Sequence, residues 1–264
     1  MSMSNAAKAT HDVAIADQFT RQAVQFAASG VHHNKVALDV LVEAAQPRPE
    51  DVSLDVACGP GSVVAAFARR VRRAEGLDAT EAMLDEARKL SSREGLSNVT
   101  WHHGDLYALP FATEAFDIVS CRYAFHHLLE PARALTEMAR VCRHGGRVVL
   151  CDAFASDDPV KSAAFNAMER YRDPSTVAFR TLGFLRGLFA EIGLHKPEER
   201  FYDVPAELER LIAMAYPVND DRDGLRAMIE AAVDRDAMGV GARREGGTVR
   251  FEYPVVVFAA VKGG

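Results

Sequence analysis

From residue 52 onward, short apolar runs alternate with stretches of helical period, and this alternation constrains the fold more than any other feature of the 264-residue chain. Residues 52–57 form a first apolar run that meets a Gly-Pro-Gly turn, and 62–72 then read as a helix. Residues 74–78, 99–103, 116–121 and 147–152 read as further strands, with helices expected over 80–90 and 131–142. Parallel strands need long crossovers, and helices of this length supply them, so the pattern predicts a parallel sheet with helices on both faces.

The flanks read differently. Residues 1–14 are small and polar and are expected to be unstructured, without the basic start and apolar stretch of a signal peptide. A helix is expected over 16–29, ending at Gly30, and another over 35–45, stopping before Pro47 and Pro49. Beyond the fifth strand, 160–172 and 181–192 look helical, 199–203 is a weak strand, and 205–235 carries two more helical patterns. The late apolar run within 249–261 suggests a strand that returns to the sheet after a long insertion. The organisation expected is one domain over 15–264, with lid elements from 15–46 and 205–248.

The formal net charge of −6 argues against a non-specific nucleic-acid binder, which needs a basic face. The one basic run, Arg69-Arg70-Val71-Arg72-Arg73, reads as a solvated helix end. Cys58, Cys121, Cys142 and Cys151 are far apart and mostly in apolar runs, as suits buried thiols in a reducing compartment. His32-His33 lacks a third ligand at metal spacing, and no metal site is expected. No apolar run approaches the length of a membrane span. A cytoplasmic protein is the expectation.

The segment Leu54-Asp55-Val56-Ala57-Cys58-Gly59-Pro60-Gly61 closes the first strand and opens a helix. Glycines there allow a tight turn and close approach of a ligand. In an open parallel sheet, ligands collect at the carboxyl ends of strands, near the point where strand order reverses. Two ligand classes fit such a loop, a dinucleotide and an adenosyl amino acid. Val64 stands where the dinucleotide fingerprint needs a small residue, and Asp55 would repel a pyrophosphate but attract an α-ammonium group, so the second class is favoured. Asp78, ending the second strand, can accept hydrogen bonds from both ribose hydroxyls, with Met83 as an apolar cover for adenine. After the third strand, Gly104-Asp105-Leu106 offers a carboxylate for the adenine amino group and a backbone amide for a ring nitrogen.

Taken in order, Leu54 to Gly61, Gly76-Leu77-Asp78-Ala79-Thr80-Glu81-Ala82-Met83-Leu84, Gly104-Asp105, Leu109-Pro110-Phe111 and Phe116-Asp117 resemble the class I S-adenosylmethionine-dependent methyltransferases. The nearest branch is the ubiquinone/menaquinone-biosynthesis-like group. Phe19-Thr20-Arg21-Gln22-Ala23, Cys121 to His127 and Arg172-Asp173-Pro174-Ser175 resemble a bacterial subfamily of it. The resemblance covers about residues 15–200. It implies a Rossmann-like α/β three-layer sandwich whose seven-stranded, mostly parallel sheet has the order 3-2-1-4-5-7-6, with strand seven antiparallel. It also implies S-adenosyl-L-methionine as cofactor. Ala57 stands where many members have Gly, and Thr176 where His is expected after Asp-Pro-Ser, so no role of that His carries over.

The residues expected to hold the cofactor are Asp55, Ala57, Gly59, Gly61, Asp78, Ala79, Met83, Gly104, Asp105, Leu106 and Arg122, with Gln22 from the first helix. Methyl transfer from a sulfonium needs alignment more than protein functional groups. His126 or His127 could take a proton from a phenol, amine or acidic carbon, and is the candidate catalytic group. Tyr123, Phe19, Tyr171 and Asp173 are candidate acceptor-wall residues. The reaction expected is C-, N- or O-methylation of a small, cyclic or aromatic acceptor, releasing S-adenosylhomocysteine. A cyclisation or decarboxylation that leaves the sulfonium intact, or an NAD(P)-dependent oxidation, is the alternative. The expected partner is the small-molecule acceptor, with no nucleic acid; a homodimer is compatible.

Overall fold

The strand that carries the Gly-rich turn, β1 (Val52–Val56), is buried along its whole length, as is β4 (Phe116–Arg122) beside it. A computed structural model describes residues 5–28 and 34–263. β2 (Arg73–Asp78) and β3 (Val99–His103) extend the sheet in parallel on one side of β1, and β5 (Cys142–Ala153) continues it in parallel beyond β4. Two later strands, β6 (Glu198–Glu207) and β8 (Thr248–Val261), complete the order β3-β2-β1-β4-β5-β8-β6. β8 runs antiparallel to both neighbours. This is the expected Rossmann-like class and order, with β8 in the place of the seventh strand. Its apolar side chains between β5 and β6 explain why the run reads as continuously hydrophobic. Pro254 lies one residue beyond the last pair with β5, Ala153 with Val255, so its missing N–H breaks no bond to that strand.

An eighth strand was not expected. β7 (Arg243–Glu245) pairs with the start of β8 through a two-residue turn, Gly246-Gly247, both at positive φ (59° and 82°). Two glycines in that conformation fit a tight hairpin, and the Gly-Gly pair was its sequence signal. β6 spans ten residues instead of the short segment expected at 199–203.

Helices α1 (Asn5–Ala28), α2 (Lys35–Ala45), α3 (Ser62–Ala68), α4 (Glu81–Arg93) and α5 (Pro131–Val141) come before β5. α6 (Pro159–Arg172), α7 (Leu182–Glu191), α8 (Leu208–Met214) and α9 (Arg222–Ala232) follow it. The helix expected to begin at residue 16 is already formed at Asn5, so much of the stretch read as unstructured is helical. Small and polar residues such as Ala and Lys fill it, and these are good helix formers despite carrying no apolar period. α3 stops at Ala68, four residues short of the expected end, where Arg70 and Val71 both bond to the Phe67 carbonyl. α2, expected in a lid, instead packs on α3 and on the sheet, with Leu41, Val42, Ala44 and Ala45 in the core beside Phe67. His32-His33 and Gly30 lie outside the described residues.

Two apolar cores line the two faces of the sheet. One gathers Leu41, Phe67, Leu84 and Phe165; the other gathers Leu54, Phe125, Met138 and Phe189. Strand order reverses between β1 and β4, which opens a crevice at their carboxyl ends.

Candidate active site

The turn after β1 is built from backbone conformations that curl the chain back on itself. Ala57, Gly59 and Gly61 have φ of 53°, 51° and 86°. Ala57 holds the left-handed region at a cost of about 1 kcal/mol, which a glycine there would avoid. The Cys58 N–H donates to the Leu77 carbonyl at 3.0 Å, and the Gly59 N–H donates to Asp78 Oδ2 at 2.8 Å. Gly61 has a different task. A Cβ there would lie 2.6 Å from Trp101 Cη2, so this glycine lets the turn pack on the indole.

These elements enclose a cavity of about 370 Å³ at the crevice. Asp55, Ala57, Gly59, Asp78, Ala79, Met83, Gly104, Asp105, Leu106 and Arg122 all line it. Asp55 is buried and accepts a hydrogen bond from Ser120 Oγ at 2.6 Å. Burial pushes its pKa up to about 7, against the pull of the Ser120 bond and of Arg122. Burial also raises Asp78, while N–H bonds from Gly59 and Thr80 pull it back. Asp105 Oδ1 receives the Tyr107 N–H at 2.8 Å. Three carboxylates around apolar Met83, Leu106 and Val63 fit a cationic ligand with hydroxyl groups and disfavour a pyrophosphate.

A second cavity, about 460 Å³, adjoins the first and shares Phe19, Phe26, Tyr123 and His127 with it. Phe179, Phe251, Tyr253, Leu211 and Met214 give it an aromatic and apolar lining. Tyr123, at φ 57°, closes β4; its hydroxyl meets that of Tyr202 at 2.7 Å. The Arg122 guanidinium lies 4.3 Å over the Tyr123 ring. A single 3-10 turn, Phe125–His127, follows and carries both histidines. Asp152, at the end of β5, holds His126 twice, through the backbone N–H at 2.9 Å and the ring Nδ1 at 2.8 Å. The His126 ring stacks on Phe179 at 4.2 Å. His127 Nδ1 lies 3.1 Å from Ser175 Oγ, which bonds Asp173 at 2.6 Å. Burial, reinforced by His126, lowers the His127 pKa to about 3.

Most residues singled out in the sequence thus meet at one crevice. Three do not. Gly61 lines neither cavity for the reason given above. Gln22 is buried on α1 and lines neither cavity, and its Oε1 has no hydrogen-bond partner among the described residues. Tyr171 donates its hydroxyl to Asp221 at 2.5 Å, tying α6 to the start of α9. His126 and Asp173 line the second cavity only. Asp152 and Phe179 were not among the expected site residues, and Ser175 appeared only within the Asp-Pro-Ser motif; Asp152 had a further signal, a carboxylate near the end of an apolar strand.

A methyltransferase-domain family profile matches residues 54–150. The chain is 28% identical over 246 residues to the uncharacterized methyltransferase YcgJ of Bacillus subtilis, which covers 92% of this chain and 97% of that one. The crystal structure of that protein superposes with a TM-score of 0.80, covering 87% of this chain and 99% of that one at 27% identity. A ubiquinone/menaquinone biosynthesis C-methyltransferase of Roseobacter denitrificans is 31% identical over 140 residues, 52% of this chain and 55% of that one. The chain thus spans about half the length of that relative.

Proposed function

We propose that the chain is a class I S-adenosylmethionine-dependent methyltransferase that methylates a small cyclic or aromatic acceptor. The observation that carries this reading is the adjoining pair of cavities, one ringed by carboxylates and one lined by aromatic side chains, with four residues common to both. Asp78 would receive the ribose hydroxyls, Asp105 and Leu106 the adenine edge, and Asp55 the amino-acid ammonium. When bound, S-adenosylmethionine supplies an electrophilic methyl group on a sulfonium. The chain itself binds, aligns and excludes water. Phe19 and Phe26 of α1 cover the junction, their rings 5.8 Å apart, and Phe19 meets the His127 ring edge-on at 5.0 Å. The aromatic side chains of the second cavity favour a planar organic acceptor over a nucleic acid, which the net charge of −6 also disfavours.

Calorimetry with S-adenosylhomocysteine tests the reading. One site per chain is expected, with affinity lost in Asp78→Ala and no response to NADH. Binding of NADH, or equal affinity in Asp78→Ala, would overturn it. Incubation with S-adenosylmethionine and a panel of aromatic acceptors should then release S-adenosylhomocysteine.

A further inference from the structure

We propose that the second cavity selects acceptors carrying a proton on or next to the atom to be methylated, such as phenols, enols or N–H compounds, and that His126 Nε2 receives that proton. The proposal rests on the methyl-transfer reading above and names the substrate class and the base for it.

The argument turns on which ring nitrogens carry hydrogen. Asp152 is 2% exposed and accepts from three donors: the His126 N–H, the Ala153 N–H at 2.8 Å, and His126 Nδ1. A carboxylate has no proton to give, so Nδ1 of His126 must be the donor. The neutral ring then has a bare lone pair at Nε2. The same logic runs through Ser175. Its hydroxyl hydrogen goes to Asp173, so its oxygen can only accept from His127 Nδ1. His127 Nε2 is therefore a bare acceptor too.

The two rings lie 4.1 Å apart, both line the second cavity, and neither Nε2 meets a hydrogen-bond donor among the described residues. A wall made of two acceptors needs a donor opposite it. A carboxylate or a thioether would set lone pair against lone pair there.

The two histidines are not equivalent. Asp152 is hydrogen-bonded directly to His126 Nδ1, opposite the nitrogen that would receive a proton, and Phe179 stacks on the ring. His127 reaches Asp173 only through Ser175, and burial beside His126 keeps it neutral. His126 is thus the base, and His127 orients the donor. Asp152 is a positioning residue. The charged and titratable groups around the pair are Asp152 from β5, Arg172 and Asp173 from the end of α6, and His11 of α1, whose Nε2 bonds the His127 carbonyl. Glu207 of β6, Arg210 of α8, Arg243 of β7, and Arg250 and Glu252 of β8 line the same cavity. In the balanced step, the acceptor's proton passes to His126 Nε2 and its freed electron pair forms the bond to the methyl carbon. The carbon–sulfur bonding pair stays on sulfur.

The test is binding of three similar probes, 4-nitrophenol, 4-nitroanisole and 4-nitrobenzoate, to the full chain with and without S-adenosylhomocysteine. The phenol should bind about tenfold tighter than the other two, a difference typical of one satisfied buried hydrogen bond. Bound phenol should also show its phenolate absorption at a pH where the free probe is protonated. His126→Phe should abolish both effects. Asp152→Asn should retain the binding preference but lose the phenolate band, which a merely structural role for Asp152 would not produce. Equal binding of phenol and anisole, preference for benzoate, or a phenolate band that survives Asp152→Asn would overturn the proposal. Failure of S-adenosylhomocysteine to bind, with the probe preference intact, would instead count against the methyl-donor assignment.

Discussion

Gly59 donates its backbone N–H to Asp78 Oδ2 at 2.8 Å, so the turn after β1 is fastened to the carboxylate that ends β2. Asp78 Oδ1 is held at the same time by the Thr80 N–H at 2.8 Å. The carboxylate thus shapes the loop before it meets a ligand. Replacing it by Asn puts an NH₂ donor against one of those N–H donors. Asp78→Asn should weaken S-adenosylhomocysteine by at least about tenfold, roughly 1.4 kcal/mol, on calorimetric titration. An unchanged affinity would remove Asp78 from the site.

Asp55 sets function against stability. Its carboxyl has a reference pKa of 3.8 and is raised by burial to about 7 in the fold. Folding therefore favours the protonated form. The contribution of Asp55 to stability is fully present below about pH 4, falls as pH rises toward about 7, and is level above it. That displacement corresponds to roughly 4 kcal/mol. In Asp55→Asn this decline is absent, so the ligand-free variant should melt higher than the wild type at pH 8 and converge with it near pH 4. Affinity for the cationic ligand should run the other way, tightening with pH in the wild type only. Parallel melting profiles across that range would refute the buried-carboxyl argument.

Gly61→Ala should damage the turn without touching the ligand. A methyl would meet Trp101 Cη2 at 2.6 Å and Ala87 Cβ at 2.9 Å, at a φ of 86° that disfavours any side chain. A loss of about 2–4 kcal/mol in urea unfolding is expected. Trp101 is the chain's one tryptophan, so its emission should shift in the variant. Gly59→Ala has open space around the new Cβ and should cost less, mainly through its φ of 51°.

His127 should resist protonation. Burial, then the neighbouring His126, lowers its pKa from 6.5 to about 3. A depressed folded-state value means that its contribution to stability is present above about pH 6.5 and is lost as pH falls toward 3. Nitrogen chemical shifts should show a neutral Nδ1–H ring at pH 5. A titration near the ordinary histidine value would contradict the burial of His127 beside His126.

Much of this was readable in advance because strand, turn and helix declare themselves locally. The run 52–57, the Gly-rich turn and Asp78 are fixed by chain geometry within about twenty-five residues, and they met as expected. What stayed hidden depends on contacts between distant segments. Asp152 and Phe179 reach His126 from 26 and 53 positions away; only the sheet and the end of α6 bring them together. Gly61 was legible as a turn glycine, yet nothing nearby announced that Trp101 sits against it. Tyr171 stood beside Asp173 in sequence, but the helix turned its hydroxyl to Asp221 instead of the cavity. The helix at the amino terminus was missed because its residues carry propensity without amphipathic period.

A crystal structure of the full chain with S-adenosylhomocysteine tests the central claim most directly. The adenosyl group is expected in the 370 Å³ cavity, with its ribose on Asp78 and its adenine beside Asp105, and with the sulfur facing the junction at Tyr123 and His127. A ligand found elsewhere, or bound there without contact to Asp78 and Gly59, would contradict the account.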